Sequence, residues 1–491
     1  MSQEDPAMAD HRTLANAGVT GYSRYVPVWR LTHASARRAW GTAGARGTRA
    51  VAGHDEDPTS MAVEAARRCV RHSAPPEVLY FATATPVYLE KSSATTVHAA
   101  LGLPSSTAAL DCSGATRSGM AALRAAWSEA VAGRRALAVA ADVRSGAPGS
   151  RDEWAGGDVA AAVEFGGEEI LARVLATGSS SLEVLDRWRA PQARHGRSWD
   201  ERASEQLYVD AAMEAIDIAL GAAGLSLGDI AWIGVAGLHQ RARSAVTRRL
   251  CEAGARAIDD REHELGTPGC AQPAHLVGRG LDGAEAGERL LIVSLADGAD
   301  TMILEATPDL DRWRRRDRPE SPPALEVSYE RFLVWRGELQ LDAARRPDPD
   351  APAPSPAARN REWKFALTGS RCEDCGTVHL PPGRVCVRCS AVDRMTSHSV
   401  RDREGVVVTF QLDYLNASQN PPSMPVVVDF EGGGRLLCEL TDADPAAVRI
   451  GDRVRMSFRR MSVSPEGVQN YFWKARPVGA AKESWEEGTH A

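Results

Sequence analysis

The residue with the clearest chemical use in this sequence is a thiol, Cys112, within the stretch Ala109–Leu123 (ALDCSGATRSGMAAL). An apolar run predicts a buried strand that ends at Asp111, and an Ala-rich segment predicts a helix that continues to Val131 and stops at Gly133. At such a junction the backbone N–H groups and the helix dipole favour the thiolate, and the same N–H groups can hold the oxyanion of a thioester under attack. The alternative is an inert thiol, because free cysteine is among the most buried residue types.

Four further cysteines have the spacing of metal ligands. Cys372 and Cys375 form one CxxC pair, and Cys386 and Cys389 form a second pair after ten intervening residues. Two such pairs predict a tetrahedral four-thiolate zinc site, since each pair presents two sulfurs to one ion. All four coordination positions are protein ligands, which indicates a structural zinc. A pair of redox dithiols is the competing interpretation.

The composition argues against several classes of function. A chain of 491 residues predicts two or three domains. The net charge of −7 and the absence of a basic block argue against a nucleic-acid partner. The polar start MSQEDPAMADHR and the lack of a long apolar run predict no signal peptide and no membrane span. The nine cysteines are an odd number with one tight group, which suits a reducing compartment and predicts a cytoplasmic protein.

The elements that must position these residues alternate between apolar β-like runs and Ala-rich helical patterns up to about Pro308. Val159–Phe165 and Ile170–Thr177 are predicted to pair as a hairpin, as are Leu290–Leu295 and Thr301–Ala306. The second half repeats the order of elements of the first half, which indicates an old duplication. The pattern predicts a layered α/β fold.

The C-terminal third has a different pattern. Tyr329–Leu341 has amphipathic helical spacing, which fits either a helix that docks one domain on the other or a plain surface helix. Arg345–Ala358 (RRPDPDAPAPSPAA) is predicted to be an extended linker. Five short alternating runs follow the cysteine pairs and predict a small antiparallel barrel of the OB kind: Val406–Leu412, Val426–Phe430, Arg435–Leu440, Arg453–Phe458 and Val468–Trp473.

These patterns predict six segments along the chain. They are an α/β domain at 12–310, a connecting helical segment at 311–344, a Pro/Ala-rich linker at 345–360, a zinc ribbon at 361–400, an OB fold at 401–478 and a disordered tail at 479–491.

The motifs of the first segment resemble the hydroxymethylglutaryl-CoA synthase branch of the thiolase superfamily, particularly its archaeal-type members. Besides the Cys112 region, the resemblance rests on Gly21–Pro27 (GYSRYVP), Asp55–Ala66 (DEDPTSMAVEAA), Tyr88–Gly102 (YLEKSSATTVHAALG), Leu238–Gln240 and Ser294–Thr301 (SLADGADT). It implies a thiolase-like duplicated αβαβα fold. The remainder resembles the zinc-ribbon and OB-fold module called DUF35, which accompanies thiolase-like enzymes and is thought to hold acyl-CoA or acyl carriers or to brace the catalytic subunit.

The resemblance implies roles for three residues. Cys112 matches the nucleophile that takes an acyl group from coenzyme A or a carrier protein. His239 matches the histidine that hydrogen-bonds the carbonyl of the second substrate, with a surface or helix-capping histidine as the alternative. Gly298 matches the turn that lines the acyl pocket and supplies a backbone N–H.

Two positions depart from the family pattern. Aligning Tyr88, Lys91 and Gly102 puts Ala84 where the synthases have a glutamate that acts as general base, and Thr267 replaces an asparagine in a later loop expected to bind substrate or its oxyanion. Alanine cannot abstract a proton, and loss of a positioned base typically costs about 10²–10⁴ in rate. Two nearby carboxylates, Glu90 and Asp111, are candidate replacements, with solvated or structural roles as the alternative.

Three functions therefore stay open. The first is an acyltransferase that works through a Cys112 thioester, with a coenzyme A thioester or an acyl-carrier protein as donor. The second is a hydroxymethylglutaryl-CoA synthase with a replacement base, and the third is a catalytically silent acyl-binding or scaffold partner of another thiolase or ketosynthase. The resemblance also implies a homodimer.

Overall fold

The computed structural model describes residues 17–41, 47–316, 323–342, 354–416 and 418–478. They divide into two compact units. The first, called the N-terminal domain, holds the described residues up to 316 together with Val327–Leu341, and the second, the C-terminal module, holds the rest. The start of the predicted α/β domain at 12–16, most of the linker at 343–353 and the tail at 479–491 lie outside the described residues.

The N-terminal domain alternates strands and helices as predicted. Its strands are β1 (Gly18–Tyr25), β2 (Trp29–Thr32), β3 (Thr48–Val51), β4 (Val78–Thr83), β5 (Ala108–Ser113), β6 (Ala136–Asp142), β7 (Val159–Gly166), β8 (Ala172–Ser181), β9 (Arg187–Trp188), β10 (Arg197–Ser198), β11 (Trp232–Gly237), β12 (Arg256–Ala257), β13 (Arg289–Leu295) and β14 (Gly298–Ala306). Its helices are α1 (His33–Trp40), α2 (Pro58–Cys69), α3 (Ala94–Ala100), α4 (Ser118–Val131), α5 (Arg151–Ala155), α6 (Glu201–Ala223), α7 (Gln240–Glu252), α8 (Glu262–Leu265), α9 (Gln272–Gly283), α10 (Asp309–Arg316) and α11 (Tyr329–Trp335).

The strand order confirms the duplication. Ten strands form one sheet in the order β12-β11-β13-β14-β8-β1-β7-β6-β4-β5. Read outward from the β8–β1 contact, the halves are β8-β14-β13-β11-β12 and β1-β7-β6-β4-β5, with the same sequence of parallel and antiparallel pairs. The halves meet through two residue pairs, Gly18 with Arg173 and Val19 with Ala172. The fold is therefore the predicted thiolase-like duplicated α/β architecture.

The predicted hairpin of the first half is wrong, because β1 lies between β7 and β8. β1 pairs with β7 along its whole length from Gly18 to Tyr25, and this pairing leaves no edge of β7 for β8. The corresponding hairpin of the second half, β13 with β14, is confirmed. Pairing of strands that follow each other in sequence is common, but a strand from elsewhere in the chain can displace it.

The core explains why the Ala-rich segments are helices. Helices α4 and α9 pack against each other. Helix α4 lies on the first half of the sheet, and α9 contacts strands of both halves. Small side chains let the backbones approach: a Cβ at Gly119 would lie 2.0 Å from the carbonyl oxygen of Cys270. All residues of β6 and β7 are buried, as expected for strands covered by helices on both faces.

Strand β5 differs from its prediction in two ways. It continues through Cys112 to Ser113, and it is mostly exposed rather than buried. The reason is its place at the end of the sheet, where β4 is its one partner among the described strands and Leu110 is 47% exposed. The sequence shows the apolar run but not its position in the sheet.

The segment Val327–Leu341 packs on the N-terminal domain and is called the strap. Its helix α11 is shorter than predicted and buries Tyr329, Phe332 and Trp335, so it is not a plain surface helix. The Trp40 indole N–H donates to the Tyr329 hydroxyl at 2.6 Å. Just after the helix, Arg336 forms a buried ion pair with Asp158.

The C-terminal module has the two predicted parts. Its strands are β15 (Leu325–Glu326), β16 (Thr368–Cys372), β17 (Val378–His379), β18 (Met395–Ser399), β19 (Glu404–Phe410), β20 (Pro425–Phe430), β21 (Arg435–Glu439), β22 (Arg453–Val463) and β23 (Gln469–Pro477), and its helices are α12 (Pro354–Arg359) and α13 (Arg361–Ala366). The ribbon has the order β17-β16-β18, and the barrel has the order β21-β20-β19-β22-β23. A bridge between Leu440 and Ala475 nearly closes the barrel as an OB-type fold.

The described end of the predicted extended linker is helical, as α12. Proline is compatible with the first turn of a helix, and Ala and Arg are good helix formers. Among the described helices, none is both long enough and apolar enough to cross a membrane.

Candidate active site and zinc centre

The candidate site is organised by one turn, Gly266–Gln272, which ends at the first residue of α9. The Cys270 thiol donates to the carbonyl of Ala115, three residues after Cys112, at 3.4 Å. The Cys270 N–H donates to Asp142 Oδ2 at 2.8 Å, and Asp142 Oδ1 accepts the N–H of Ala84 at 2.7 Å. The Gln272 side chain accepts the N–H of Gly237, two residues before His239, at 3.0 Å. The turn therefore connects the segments that carry Cys112, Ala84 and His239.

Cys112 is half-buried on β5, beside Ala82 of β4. Burial raises the pKa of its thiol above the ordinary value, and the neighbouring carboxylate of Asp111 raises the pKa further. This differs from the expected thiolate. Helix α4 begins only at Ser118, so Cys112 is not in its first turn, where the dipole acts.

Ala84, which the sequence analysis aligned with the family's base position, directly follows β4. Its side chain packs against the same core cluster as Cys112. Its carbonyl accepts a hydrogen bond from Arg189 at 2.7 Å.

Asp142, which the sequence did not single out, is fully buried beside Ala84. Its carboxylate accepts hydrogen bonds from Thr83, Ala84, Thr85 and Cys270. With so many donors it acts as a structural anchor between the two halves. A lone aspartate at the end of an apolar strand, as in AVAAD, is the only sequence signal for it.

Of the two candidate replacement bases, Asp111 is hydrogen-bonded within the fold and Glu90 is exposed to solvent. Asp111 Oδ1 accepts the N–H groups of Ser93 and Ala94 at 3.1 and 3.0 Å, at the start of α3. Glu90 is exposed in the loop before that helix.

His239 is the N-cap of α7. Its Nδ1 accepts the Ala242 N–H at 3.0 Å, so Nε2 carries the proton and lies 3.0 Å from the Glu201 carbonyl and 3.1 Å from Ser204 Oγ. The ring is buried and packs against Tyr208. Capping is the alternative that the sequence left open, and among the described residues no hydrogen bond joins His239 to Cys112.

Thr267 is also buried and engaged. Its hydroxyl donates to Glu262 Oε1 at 2.7 Å, and its N–H donates to the Ala155 carbonyl at 2.7 Å. Both of its hydrogen-bond donors are engaged within the fold, so Thr267 stabilises the loop rather than presenting a donor to a ligand.

Gly298 begins β14 in a conformation that requires glycine. Its φ is +109°, and a Cβ would lie 2.1 Å from the Ser180 carbonyl oxygen. Arg117, in the loop after Cys112, donates to the Asp297 carbonyl at 2.6 Å and to Asp300 Oδ2 at 2.7 Å. Arg117 was not predicted, and it ties the Cys112 loop to the Gly298 turn.

A cavity of about 420 Å³ lies next to these segments. Its lining includes Arg151, Asp152, Arg187, Trp199, Arg202 and Arg241. The hairpin β9–β10 on one side also carries Arg189, which reaches the Ala84 carbonyl. On another side Glu201 lines the cavity and accepts from His239. The cavity is thus adjacent to two of the predicted site positions.

The four predicted zinc ligands form a compact cluster in the C-terminal module. The Cys372 and Cys389 sulfurs are 3.6 Å apart, and the Cys375 and Cys386 sulfurs are 3.5 Å apart. All four sulfurs lie within 4.8 Å of one another. Tetrahedral zinc with Zn–S bonds of about 2.3 Å places its sulfurs about 3.8 Å apart. The cluster therefore fits a structural Zn²⁺ and leaves no coordination position for a substrate.

Comparison with known proteins assigns the two units. Residues 365–394 match the family model for the ChsH2 rubredoxin-like zinc ribbon domain, and residues 400–459 match the model for the ChsH2 C-terminal OB-fold domain. For the N-terminal part, a hydroxymethylglutaryl-CoA synthase of Methanothermobacter thermautotrophicus is 30% identical over 357 residues, which cover 66% of this chain and 99% of that protein. The chain belongs to the hydroxymethylglutaryl-CoA synthase family.

Solved structures agree with this family at the level of the fold. A crystal structure of an HMG-CoA synthase complexed with CoA aligns with a TM-score of 0.58 and 15% identity, over 68% of this chain and 92% of that chain. The HMG synthase of the curacin biosynthetic pathway, in complex with an acetyl donor carrier protein, aligns with a TM-score of 0.55 and 17% identity, over 65% and 88% of the two chains. The N-terminal domain is therefore a synthase-family member fused to a zinc-ribbon and OB-fold module.

Proposed function

We propose that the N-terminal domain is an acyltransferase that carries its acyl group as a thioester on Cys112. The donor is an acyl-coenzyme A or an acyl-carrier protein. The observation that carries the proposal is the turn Gly266–Gln272, whose hydrogen bonds connect the loop of Cys112, the position of Ala84 and the strand end before His239. Membership of a family of condensing enzymes supports it.

The reaction has two steps. In the first, the Cys112 thiolate attacks the donor carbonyl carbon, a C–S bond forms, the donor C–S bond breaks, and the departing thiolate takes a proton from solvent. In the second, a carbon, oxygen or nitrogen nucleophile of the acceptor attacks the acyl-Cys112 carbonyl carbon and forms a bond to it. The acyl C–S bond breaks, Cys112 leaves as the thiolate, and the proton lost by the acceptor passes to solvent. Backbone N–H groups near Gly298, which Arg117 holds against the Cys112 loop, are the proposed donors to the oxyanion.

Ala84 separates this reaction from ordinary synthase chemistry. Forming an enolate of an acetyl group needs a base, and neither Ala84 nor the hydrogen-bonded Asp142 supplies one. We expect condensation of acetyl-CoA with acetoacetyl-CoA to be slower by about 10²–10⁴ than with a positioned glutamate. The acceptor must therefore provide its own nucleophile.

Acylation of Cys112 tests the proposal directly. The protein is incubated with a panel of acyl-CoAs and acyl-carrier proteins, and the intact mass is measured. We expect a mass increase of one acyl group that Cys112→Ala abolishes and that Cys251→Ala, at an exposed cysteine outside the site, retains. No adduct with any donor, or an adduct that survives Cys112→Ala, contradicts the proposal.

A silent acyl-binding partner of another thiolase or ketosynthase is the second candidate. It is favoured by the raised pKa of Cys112 and by the capping contacts of His239. His239→Asn separates the roles, because asparagine is also a good N-cap. If His239 holds the acceptor carbonyl, this variant still acylates Cys112 but no longer transfers the acyl group. If His239 is only a cap, both steps are unchanged.

The free edge of β5 supports a homodimer that pairs this edge with its copy. Among the described strands β5 pairs with β4 alone, and an unpaired edge strand is a template for pairing with another chain. Light scattering after gel filtration should give twice the chain mass. A monomer at all concentrations would contradict the dimer.

A further inference from the structure

One arginine beside the candidate site has a charged group without a counter-ion. Arg144 lies two residues after the buried anchor Asp142 and is itself partly buried. Among the described residues its guanidinium forms no ion pair and no hydrogen bond, and its Nε atom is buried without a partner. Removing a guanidinium partly from water is unfavourable, and charges in such places are usually paired. The Arg144 guanidinium is therefore available to an anionic ligand.

The carboxylates of the same segment are all engaged by other groups. Residues 142–158 contain four acidic side chains. Asp142 accepts four hydrogen bonds from other residues, and Asp158 pairs with two other arginines. Asp152 makes a two-point contact with another arginine, and Glu153 accepts hydrogen bonds from the strap. None of these four carboxylates forms an ion pair with the Arg144 side chain.

The stem of Arg144 runs along the turn Gly266–Gln272. A Cβ at Gly269 would lie 3.1 Å from Arg144 Cδ, and a Cβ at Gly156 would lie 2.8 Å from Arg144 Cβ. Two glycines therefore make room for the stem. The charge acts on the same turn, because it opposes the rise in the pKa of the Cys270 thiol that burial causes. The guanidinium is thus held beside the turn that organises the site.

We propose that Arg144 is a specificity-determining residue that binds a carboxylate on the acyl acceptor. The planar fork of a guanidinium matches the two oxygens of a carboxylate. Through Gln272 the same turn holds the strand end before His239, the residue expected to contact the acceptor carbonyl. The proposal rests on the proposed acyl transfer and adds the chemical class of its acceptor.

A pair of alkylating reagents tests the charge independently of acyl transfer. Iodoacetate and iodoacetamide both form a thioether with Cys112 and release iodide, but only iodoacetate carries a carboxylate. The ratio of their rate constants at Cys112, measured by mass spectrometry at one pH, cancels any change in the thiolate fraction. We expect Arg144→Gln to lower the iodoacetate-to-iodoacetamide ratio by about three- to tenfold, the effect of one partly screened charge. Arg144→Lys keeps the charge and should retain most of the ratio. Arg312→Gln, at an exposed arginine of α10, should leave the ratio unchanged.

A matched pair of acceptors tests whether the carboxylate belongs to the acceptor. The acyl-Cys112 protein is mixed with 3-mercaptopropionate or with its neutral amide, whose thiol forms the new thioester while Cys112 leaves. Each rate is divided by the rate of the same thiol with a thioester in solution. We expect the wild-type protein to favour the carboxylate acceptor by about three- to tenfold, again the effect of one partly screened charge. Arg144→Gln should abolish this preference, and Arg144→Lys should retain part of it.

Equal reagent ratios in the wild-type protein and in Arg144→Gln, or equal transfer to the two acceptors by the wild-type protein, would overturn the proposal. The two arms also separate it from the proposed function. If no donor acylates Cys112 but the reagent ratio falls in Arg144→Gln, the acyl transfer fails while the carboxylate-binding role of Arg144 stands. If acylation occurs and the ratio does not change, the role of Arg144 fails alone.

Discussion

Cys112 lies where its ionisation is opposed rather than assisted. Burial and the carboxylate of Asp111 both raise the pKa of its thiol, and the first turn of α4 begins too far along the chain to compensate. The thiolate fraction therefore increases with pH across the neutral range, and acylation and alkylation should accelerate with it.

Asp111→Asn tests this electrostatic effect at the scale of one residue. Asparagine keeps an acceptor for the Ser93 and Ala94 N–H groups but removes the negative charge. We expect the pKa of Cys112 to fall, because the neighbouring negative charge that helps to raise it is removed. The rate of alkylation by iodoacetamide, followed by mass spectrometry as a function of pH, should shift to lower pH. Glu90→Gln is the matched control, and a shift of equal size there would show that the effect is not local.

At the scale of elements, the strap holds the hairpin that borders the cavity. Arg194, in the turn of the β9–β10 hairpin, donates to the Arg336 carbonyl and forms an ion pair with Glu338 at 2.8 Å. His195 lies 3.3 Å from the same carboxylate. Glu338 is therefore the point where the strap restrains the loop between Arg187 and Trp199.

Glu338→Gln should loosen this hairpin without unfolding the domain. A single partly exposed ion pair contributes about 0.2–1 kcal/mol, so the melting temperature should barely change. Acylation of Cys112 by acetyl-CoA should slow by about two- to fivefold, because the hairpin borders the cavity and its Arg189 contacts the Ala84 carbonyl. Glu330→Gln, at an exposed position of helix α11 in the same strap, should change neither quantity. Equal rates in both variants would show that the strap does not position the cavity wall.

At the scale of the whole molecule, the zinc ribbon and the barrel pack against each other within the C-terminal module. The turn Gly432–Gly434 joins β20 to β21 with three positive φ angles, and a Cβ at Gly434 would lie 2.9 Å from Leu380 of the ribbon. The barrel turn therefore packs directly on the ribbon that the metal holds together.

Cys386→Ser should lower the zinc content well below the expected value of about one ion per chain, measured by mass spectrometry of the metal. Thermal unfolding of the C-terminal module should move to lower temperature, since the ribbon loses its metal and the Gly432–Gly434 turn loses its support. Cys438→Ser, at a barrel cysteine outside the cluster, should retain the zinc. Full zinc content in Cys386→Ser would contradict the four-thiolate site.

The sequence by itself determined the features that depend on short-range spacing. The CxxC pairs placed four sulfurs on one ribbon because each pair needs only a local turn, and all five barrel strands were predicted because alternation has a period of two residues. The repeated order of elements predicted the duplication that the strand order confirms. That Ala84 stands at the position of the family's general base stays a prediction from the sequence.

The tertiary structure alone decided the features that depend on contacts between distant segments. The insertion of β1 between β7 and β8, the exposure of β5 at the sheet edge and the contacts of His239 Nε2 with Glu201 and Ser204 each depend on partners far away in sequence. The roles of Asp142 and Arg117 could not be predicted from the sequence, because each residue joins the first half of the domain to the second through hydrogen bonds. Local preference selects helices and strands, but strand pairing, burial and cavities follow from how those elements pack.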